Sequence, residues 1–598
     1  MHSSSIVVVT ALVLNTHIVH AIWPAPRSFS TGNTVLWIDP TIEVTYNGKK
    51  AWGAHQLWGP AFNSEHILDT QETPFGANAA GTISSDSVAF SAIPRALASM
   101  FKYGLIPWKL HPRNELSQFE PAADASKTFV TSLCITQKCP QNNFKPLAGE
   151  VDESYNLTIS KEGEATIDAI SAYGILHGLT SFIQLFYEHS KGGQYIAVAP
   201  VSIADAPKFK HRGLNLDVAR NWYPVPDILR QIDALAWNKF NRLHIHMSDS
   251  QSWPMDIPSL PLLSRKGAYS PGLTYSPSDM RQIQSYAALR GVEVYIEFDM
   301  PGHTTSIAHG YPDLIAAANA LPWETYCAEP PCGSLQLGNP AVPVFLQKLF
   351  DDVLPRVKPY SAYFHTGGDE VNKNTYLLDP TVKSSDYKVL QPLIQKFVDR
   401  NHDQIRKVGL TPVVWEEMLL DWNLTLPKDV VVQSWLSDES VGAIAKKGYK
   451  VLAGNYNYWY LDCGHGQWLN FDNGQSFQNF YPFNDYCSPL KNWRLVYAYD
   501  PLAGVAIEDQ HLVLGGEVHM WSEQTDPVNL DSMLWPRVCA AGETLWSGRH
   551  DSQGNNRSQV DAAPRLAEFR ERMVARGIRA GPVQMVYCTQ GNGTTCSL

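Results

Sequence analysis

The sequence predicts a (β/α)₈ barrel preceded by a smaller α+β domain. Three observations carry this reading. Eight short apolar runs recur over about 310 residues, often separated by helix-like segments, as an eight-stranded parallel barrel requires. Most of these runs end in polar or aromatic residues, and barrel chemistry sits at the C-terminal strand ends. The first 200 residues lack this rhythm and read as strands with a packed helix.

Met1–Ala21 reads as a secretory signal, with Ile6–Leu14 as a short apolar core and Val19-His20-Ala21 before the cleavage point, although no Lys or Arg precedes the core. Residues 22–100 are rich in Ser, Thr, Gly and Ala. Residues 101–205 are assigned to the α+β domain. Segment 126–160 looks like strands, and Ile170, Tyr173, Leu176, Leu179, Phe182 and Leu185 recur at helical spacing, which predicts a helix over 165–189. Pro200–Pro207 marks the boundary to the barrel, residues 206–598.

The barrel runs are Arg212–Asp217, Arg242–Asp249, Val292–Asp299, Ala362–Glu370, Pro412–Glu416, Val430–Trp435, Lys450–Asn455 and Leu512–Glu517. The fifth and sixth lie too close for a full helix, so the barrel is expected to be irregular there. Their ends carry Asp249, Asp299, His303, Asp369, Glu370, Trp415, Trp435, Tyr460, Asp462, Trp521 and Glu523. Carboxylates and tryptophans around one mouth describe a carbohydrate site, because aromatic faces stack on sugar rings and carboxylates bind hydroxyls.

The bulk numbers agree with a soluble, exported protein. Net charge is −11 and the sequence holds no long Lys/Arg run, which argues against a nucleic-acid binder. No segment after the leader has the apolar length of a membrane span. Eight of the 9 cysteines fall into close pairs, Cys134/Cys139, Cys327/Cys332, Cys463/Cys487 and Cys588/Cys596, read most simply as local disulfides. Cys539 is left over in an apolar segment and reads as a buried thiol. Asn156, Asn423, Asn556 and Asn592 begin glycosylation sequons.

The chemistry concentrates in Ser361–Asn372, where a buried run breaks into His365-Thr-Gly-Gly-Asp369-Glu370. Adjacent carboxylates emerge from one strand end and cannot easily bracket a sugar from both faces, as ordinary two-carboxylate glycosidases do. Either a second acid comes from elsewhere, with Asp299 or Glu523 as candidates, or the substrate supplies its own nucleophile. His244-Ile-His246 places two histidines on one strand face. A metal reading needs further His ligands on later strands, where Trp415 and Trp435 stand instead, so hydrogen-bonded packing histidines are the preferred reading.

Six motifs then resemble a known family in the right order: His211-Arg-Gly-Leu-Asn-Leu-Asp217, His244-Ile-His-Met-Ser-Asp249, Glu297-Phe-Asp-Met-Pro-Gly-His303, His365-Thr-Gly-Gly-Asp-Glu370, Trp459-Tyr-Leu-Asp462 and Gly515-Gly-Glu-Val-His-Met-Trp-Ser-Glu523. They are similar to glycoside hydrolase family 20, and to its secreted fungal β-N-acetylhexosaminidases, over roughly residues 100–598. The resemblance implies a zincin-like α+β domain before a TIM barrel, with no cofactor and no metal. It implies retaining, exo-acting hydrolysis of terminal β-GlcNAc, and of β-GalNAc, from chitooligosaccharides or glycans through an oxazolinium intermediate. Glu370 matches the general acid/base, Asp369 the residue that orients the acetamido group, and Tyr460 the donor to its carbonyl. Trp415, Trp435 and Trp521 match the walls of the terminal-sugar subsite. Arg212, Asp462 and Glu523 match hydroxyl-binding positions, Asp249 and His303 a relay to the acid/base, and Trp493 a stacking platform for the next sugar. The resemblance also leaves residues 22–100 as a candidate propeptide, cleaved near Lys49-Lys50 or Arg95 and retained without a covalent link, and a homodimer as the candidate assembly. A catalytically dead sugar-binding protein, a two-carboxylate glycosidase and a metal amidohydrolase stand as the competing readings.

Overall fold

The computed structural model of the chain describes residues 22–52, 83–113, 115, 119–139, 151–469, 484–591 and 596. The expected leader, Met1–Ala21, lies outside them. Both expected layers are present.

The N-terminal domain is a seven-stranded sheet with strand order β2-β1-β3-β5-β4-β7-β6. Its strands are β1 (Ser28–Tyr46), β2 (Lys49–Trp52), β3 (Phe129–Gln137), β4 (Tyr155–Ile159), β5 (Glu164–Ala169), β6 (Tyr187–Glu188) and β7 (Gln194–Asp205). Helices α1 (Ser85–Lys102) and α2 (Ala172–Gln184) cover one face. Leu97 and Ile93 of α1, with Leu179 and Phe182 of α2, join Leu133, Ile167 and Ile203 of the strands in one apolar core. Ser84 and Ser171 cap the two helices, each accepting a backbone N–H from the first turn.

Two expectations are corrected here. The α+β unit does not begin at residue 101: β1 pairs with β2, β3 and β7, so residues 28–52 are built into its sheet. The Ser/Thr-rich composition of that stretch hid the strands, since β1 alternates only weakly between exposed and buried. The helix expected over 165–189 starts at Ala172. Glu164–Ala169 is strand β5, alternating Ala165, Ile167 and Ala169 inward at the period of two that a short apolar run leaves ambiguous.

Eight parallel strands close the barrel: β8 (His211–Asp217), β9 (Arg242–His246), β10 (Glu293–Glu297), β11 (Tyr363–His365), β12 (Thr411–Trp415), β13 (Val431–Gln433), β14 (Lys450–Ala453) and β15 (Val513–Met520). Outer helices include α3 (Val225–Trp237), α4 (Pro277–Ala288), α5 (Ala341–Val357), α6 (Tyr387–Lys407) and α7 (Ser440–Lys446). Only Glu417–Leu420 is helical between β12 and β13, which is the expected irregularity. Helices α8 (Trp493–Ala498), α9 (Arg537–Ser547) and α10 (Gln559–Ala575) complete the chain's packing. Among the described residues no helix is long and apolar enough to cross a membrane.

The two domains are joined by buried polar contacts. Lys239, in left-handed backbone at φ 58°, gives its ammonium to Asp205, Tyr155 and Ser181 at 3.0–3.1 Å. Trp546 Nε1 donates to the same Asp205 at 3.0 Å. Such buried charges are tolerable only when paired and hydrogen-bonded on every side.

Disulfides close Cys327–Cys332, Cys463–Cys487 and Cys588–Cys596. Cys539 is a buried free thiol, as expected. The expected Cys134–Cys139 bridge is not formed, and both thiols are exposed. Strand β3 runs on to Gln137 and carries the chain about 10 Å beyond Cys134 before Cys139 is reached, farther than a disulfide spans.

Candidate active site

The loop after β11 holds the paired acids. Its turn is built on Gly367 and Gly368, at φ 67° and 108°. A Cβ on Gly367 would lie 1.7 Å from Asp299 Oδ1, so the backbone passes Asp299 at a distance only glycine permits. Gly368 N–H donates to that same Oδ1 at 2.8 Å. Glu370 follows in left-handed backbone, φ 51°, an uncommon state for a residue with a side chain.

His303, after β10, is in the same backbone state and reaches Glu370: Nε2 lies 3.4 Å from Glu370 Oε2, while Nδ1 lies 3.1 Å from Asp249 Oδ1. Burial disfavours charge on this imidazole, but Asp249, Asp299 and Glu370 around it more than offset that and raise it well above the ordinary histidine value. Asp249 remains ionised against its burial because Arg220, His303 and His246 surround it.

The relay continues down the barrel axis. Asp249 Oδ2 meets His246 Nε2 at 2.7 Å, and His246 Nδ1 meets Glu297 Oε2 at 2.6 Å. His244 Nε2 lies 3.0 Å from Glu297 Oε2, and its Nδ1 lies 3.1 Å from Glu517 Oε2. Glu517 also takes bonds from His211, Tyr295 and Gln433 at 2.6–3.0 Å. His246, between two carboxylates, is held well above its usual value despite burial, and Glu297 and Glu517 are held well below theirs. His244 and His246 therefore face inward together, as the strand period dictates, and are bonded to carboxylates.

Asp369 is buried, and its carboxyl is raised chiefly by that burial. Asp299 is raised further, by burial and then by the charge of Asp369. The two buried carboxyls face each other, and burial holds both above the ordinary carboxylate range. Asp369 Oδ1 is buried with no hydrogen-bond partner among the described residues. A buried acceptor in that state is costly unless a donor reaches it.

Around these acids stands one aromatic cluster of Trp415, Trp435, Tyr460 and Trp521, backed by Cys463–Cys487. Trp435 and Tyr460 stack at 6.0 Å, and Tyr460 and Trp521 meet edge-on at 6.2 Å. Trp415 Nε1 donates to Glu297 at 2.7 Å, and Trp435 Nε1 to Glu417 at 3.1 Å, which fixes both indoles. Burial keeps the Tyr460 phenol protonated, so it is a donor. Asp462 adds a second unpartnered buried oxygen, Oδ1, and burial pushes its carboxyl up to about 7. Glu523 is raised as well, by burial and by Glu329, with Arg220 opposing.

Two expected residues stand elsewhere. Arg212 begins β8 and so lies at the opposite end of the barrel from the strand-end acids. It pairs with Glu153 of the N-terminal domain at 2.5 and 3.0 Å and donates to the carbonyls of Phe209 and Lys239. It is a domain-joining residue, not a hydroxyl binder. Trp493 opens α8 inside the main apolar core, packed near Tyr497, and offers no platform. The arginine of the first motif lies at the N-terminal end of its strand and so away from the mouth, and Trp493 stands at the first turn of a helix and packs inward.

The guanidinium at the mouth is Arg220, three residues past the end of β8. It contacts Asp217 at 3.3 Å, Asp249 at 3.0 Å and Glu329 at 2.5 Å, and lies 5.1 Å over Trp521. Its signal was legible: an Arg in the first turn after a strand-terminal Asp. Glu329 and Glu417 were also missed. Glu329 is delivered by the Cys327–Cys332 loop, and Glu417 accepts the Glu370 N–H at 3.4 Å. Glu329 lies in a loop away from any apolar run, whereas Glu417 directly follows the Pro412–Glu416 run.

Comparison with known proteins identifies one family. The family pattern "Glycosyl hydrolase family 20, catalytic domain" matches residues 209–549, and "beta-acetyl hexosaminidase like" matches residues 22–185. The chain is 42% identical over 590 residues to a beta-hexosaminidase of Arthroderma benhamiae, covering 95% of this chain and 96% of that protein. It is 34% identical over 475 residues to the chitooligosaccharidolytic beta-N-acetylglucosaminidase of Ostrinia furnacalis, covering 75% and 76%. Among solved structures the fold is shared with the chitobiase of Flavobacterium johnsoniae, at TM-score 0.69 and 24% identity over 96% of this chain and 76% of that one.

Proposed function

The chain belongs to glycosyl hydrolase family 20 and is a β-hexosaminidase, and from that premise we propose an exo-acting, retaining, substrate-assisted mechanism on terminal β-GlcNAc and β-GalNAc. The observation that carries it is the placement of Asp369: buried, one oxygen unpartnered, next to the Glu370 carboxyl and inside an aromatic box. A 2-acetamido N–H would satisfy that oxygen. Its carbonyl, taking a bond from Tyr460 OH, would attack the anomeric carbon. Positive charge then develops on the acetamido group, and a charge-assisted bond to Asp369 strengthens as it does. Glu370 protonates the leaving oxygen and then takes the proton of the incoming water. His303, charged by its neighbours, holds Glu370 in place and passes the field of Asp249 to it. Trp415, Trp435 and Trp521 exclude water from the sugar. Arg220, Asp462 and Glu523 meet its hydroxyls, and the unpartnered Asp462 Oδ1 gives that contact a specific acceptor.

The test is a series of nitrophenyl β-GlcNAc analogues with one, two and three fluorines on the acetyl group. Each fluorine weakens the carbonyl as a nucleophile, so kcat should fall steeply along the series. A flat series would mean that an enzyme carboxylate attacks instead. Early sampling of the product anomer by NMR should give the β form.

Export is proposed with this activity. Three closed disulfides suit an oxidising compartment. Ile22 and Trp23, immediately after the expected cleavage point, are buried, and Trp23 donates its backbone N–H to Gln184 at 2.9 Å. Asn156, Asn423 and Asn556 are exposed and open to glycosylation, while Asn592 lies outside the described residues. A chain cut within 22–100 would keep its N-terminal piece, because β1 is hydrogen-bonded on both sides. Edman sequencing of the secreted protein checks the cleavage, and a sizing measurement checks the dimer.

A further inference from the structure

A crevice of about 280 Å³ lies between the N-terminal domain and the outside of the barrel, lined by α1, α2, α3 and the turn after α10. Leu179, Ile183 and Trp237 give it an apolar wall. Four guanidinium side chains, Arg95, Arg230, Arg290 and Arg576, share that lining with a single carboxylate, Asp233.

Asp233 is already committed. Its Oδ1 takes Arg290 Nε at 2.5 Å and its Oδ2 takes Tyr286 OH at 2.7 Å. Arg230 is answered by Asp227 and Asp531. Arg95 and Arg576 have no carboxylate partner among the described residues. Arg95 gives Nη2 to the Leu289 carbonyl at 2.7 Å. Arg576 lies 4.8 Å from the ring centre of Trp237, with Nε buried and unbonded. Burial, and then the neighbouring Arg290 and Arg572 respectively, press both groups down to about 9, so both remain charged at neutral pH. Two unanswered guanidinium charges on one partly buried crevice are unfavourable until an anion reaches them.

The shape and place of the crevice fit a ligand site. Domain interfaces are frequent ligand sites, and this volume falls near the small end of their range. Guanidinium forks match the planar or tetrahedral oxygens of carboxylates and phosphates. We propose that this crevice binds a small organic anion, a carboxylate or phosphate monoester with a short apolar stem, its oxygens on Arg95 and Arg576 and its stem against Leu179 and Trp237. Since one wall is the N-terminal domain and the other the barrel, occupancy would bind the two together.

Calorimetric titration of the purified full chain with sodium hexanoate and with phenyl phosphate, each against chloride at matched ionic strength, tests this. Saturable binding of at least one probe is expected, with a rise in unfolding midpoint that chloride does not give. Affinity should fall at least tenfold in Arg95→Met and in Arg576→Met. Arg95→Lys and Arg576→Lys, which keep the charge and lose the fork, should fall between. Hydrolysis of nitrophenyl β-GlcNAc should be unchanged in all four variants. No saturable binding of either probe, a shift that chloride reproduces, or wild-type affinity in the Arg95→Met/Arg576→Met double variant overturns the proposal. If a Met variant does not fold, the Lys variants decide, and wild-type affinity in both overturns it.

Discussion

His303 and Glu370 face each other across the barrel mouth with Nε2 and Oε2 3.4 Å apart, and each holds left-handed backbone, at φ 53° and 51°. Such states cost on the order of 1–3 kcal/mol apiece and persist only where the surroundings impose them. Here the imposition comes from Gly367, which must pass Asp299 without a Cβ, and from Asp249, which holds the far side of the imidazole.

The first prediction concerns this pair. Glu370→Gln removes the proton donor and should lower kcat on an alkyl or aryl β-GlcNAc by about 10²–10⁴-fold. The loss should shrink for a dinitrophenyl leaving group, which needs no protonation. The amide keeps the shape of the side chain and its contact with His303, so the unfolding midpoint should hold. A fall in midpoint alongside the lost activity would assign Glu370 a structural role instead.

Asp369→Asn keeps the shape and removes the charge that opposes the oxazolinium. A loss of roughly 10²–10³-fold in kcat is expected, the size of one electrostatic contact made in the transition state. Asp299→Asn should cost much less, because Asp299 already accepts the Gly368 N–H and supports the turn, while the unpartnered oxygen belongs to Asp369. Similar losses in the two variants would mean that the two carboxyls share the charge.

Arg212, inside the first motif, and Arg220, three residues past its end, hold separate roles. Arg212→Met leaves Glu153 buried without its guanidinium, a change of the kind that costs about 3–5 kcal/mol. Thermal stability should drop while KM of the folded fraction stays put. Arg220→Met acts at the mouth and should raise KM and lower kcat/KM, with Asp217, Asp249 and Glu329 left facing one another. Kinetics on soluble protein beside a melting curve distinguish them, and an Arg212 variant with selectively raised KM would restore its place in the sugar site.

How much the sequence disclosed follows from how local each signal is. All eight barrel strands were legible, because buried parallel strands are short apolar runs and their ends carry the chemistry. Asp369, Glu370, Tyr460 and the box tryptophans were legible for the same reason. What stayed hidden depends on three-dimensional neighbours. Glu329 reaches Arg220 only because a disulfide folds its loop back, and β1 looks like a polar tail until β3 and β7 bracket it. Trp493 failed in the opposite direction: the resemblance implied a stacking platform, but a helix start turns it into the core. Trp493→Ala should therefore cost about 3–5 kcal/mol of stability and leave the ratio of oligosaccharide to aryl-glycoside turnover unchanged.

The last prediction concerns pH. Asp462 is pushed up to about 7, first by burial. Asp299, Glu417 and Glu523 are raised by burial, the first two also by Asp369 and the third by Glu329. An unfolded aspartate titrates at about 3.9, so the native Asp462 binds a proton that the unfolded chain has lost. Its contribution to stability is fully present below about 3.9 and is lost as pH rises through about 7. Glu153 works with the opposite sign. Its carboxyl is held at about 2 against its burial, chiefly by Arg212, and that contribution is lost as pH falls from about 4.3 towards 2. The unfolding midpoint should therefore be higher at pH 5 than at pH 8, and Asp462→Asn should flatten the decline by up to about 1.4 kcal/mol per pH unit between them. If the variant keeps the wild-type slope, Asp462 titrates normally, and its unpartnered oxygen must be reached by a donor before the sugar arrives.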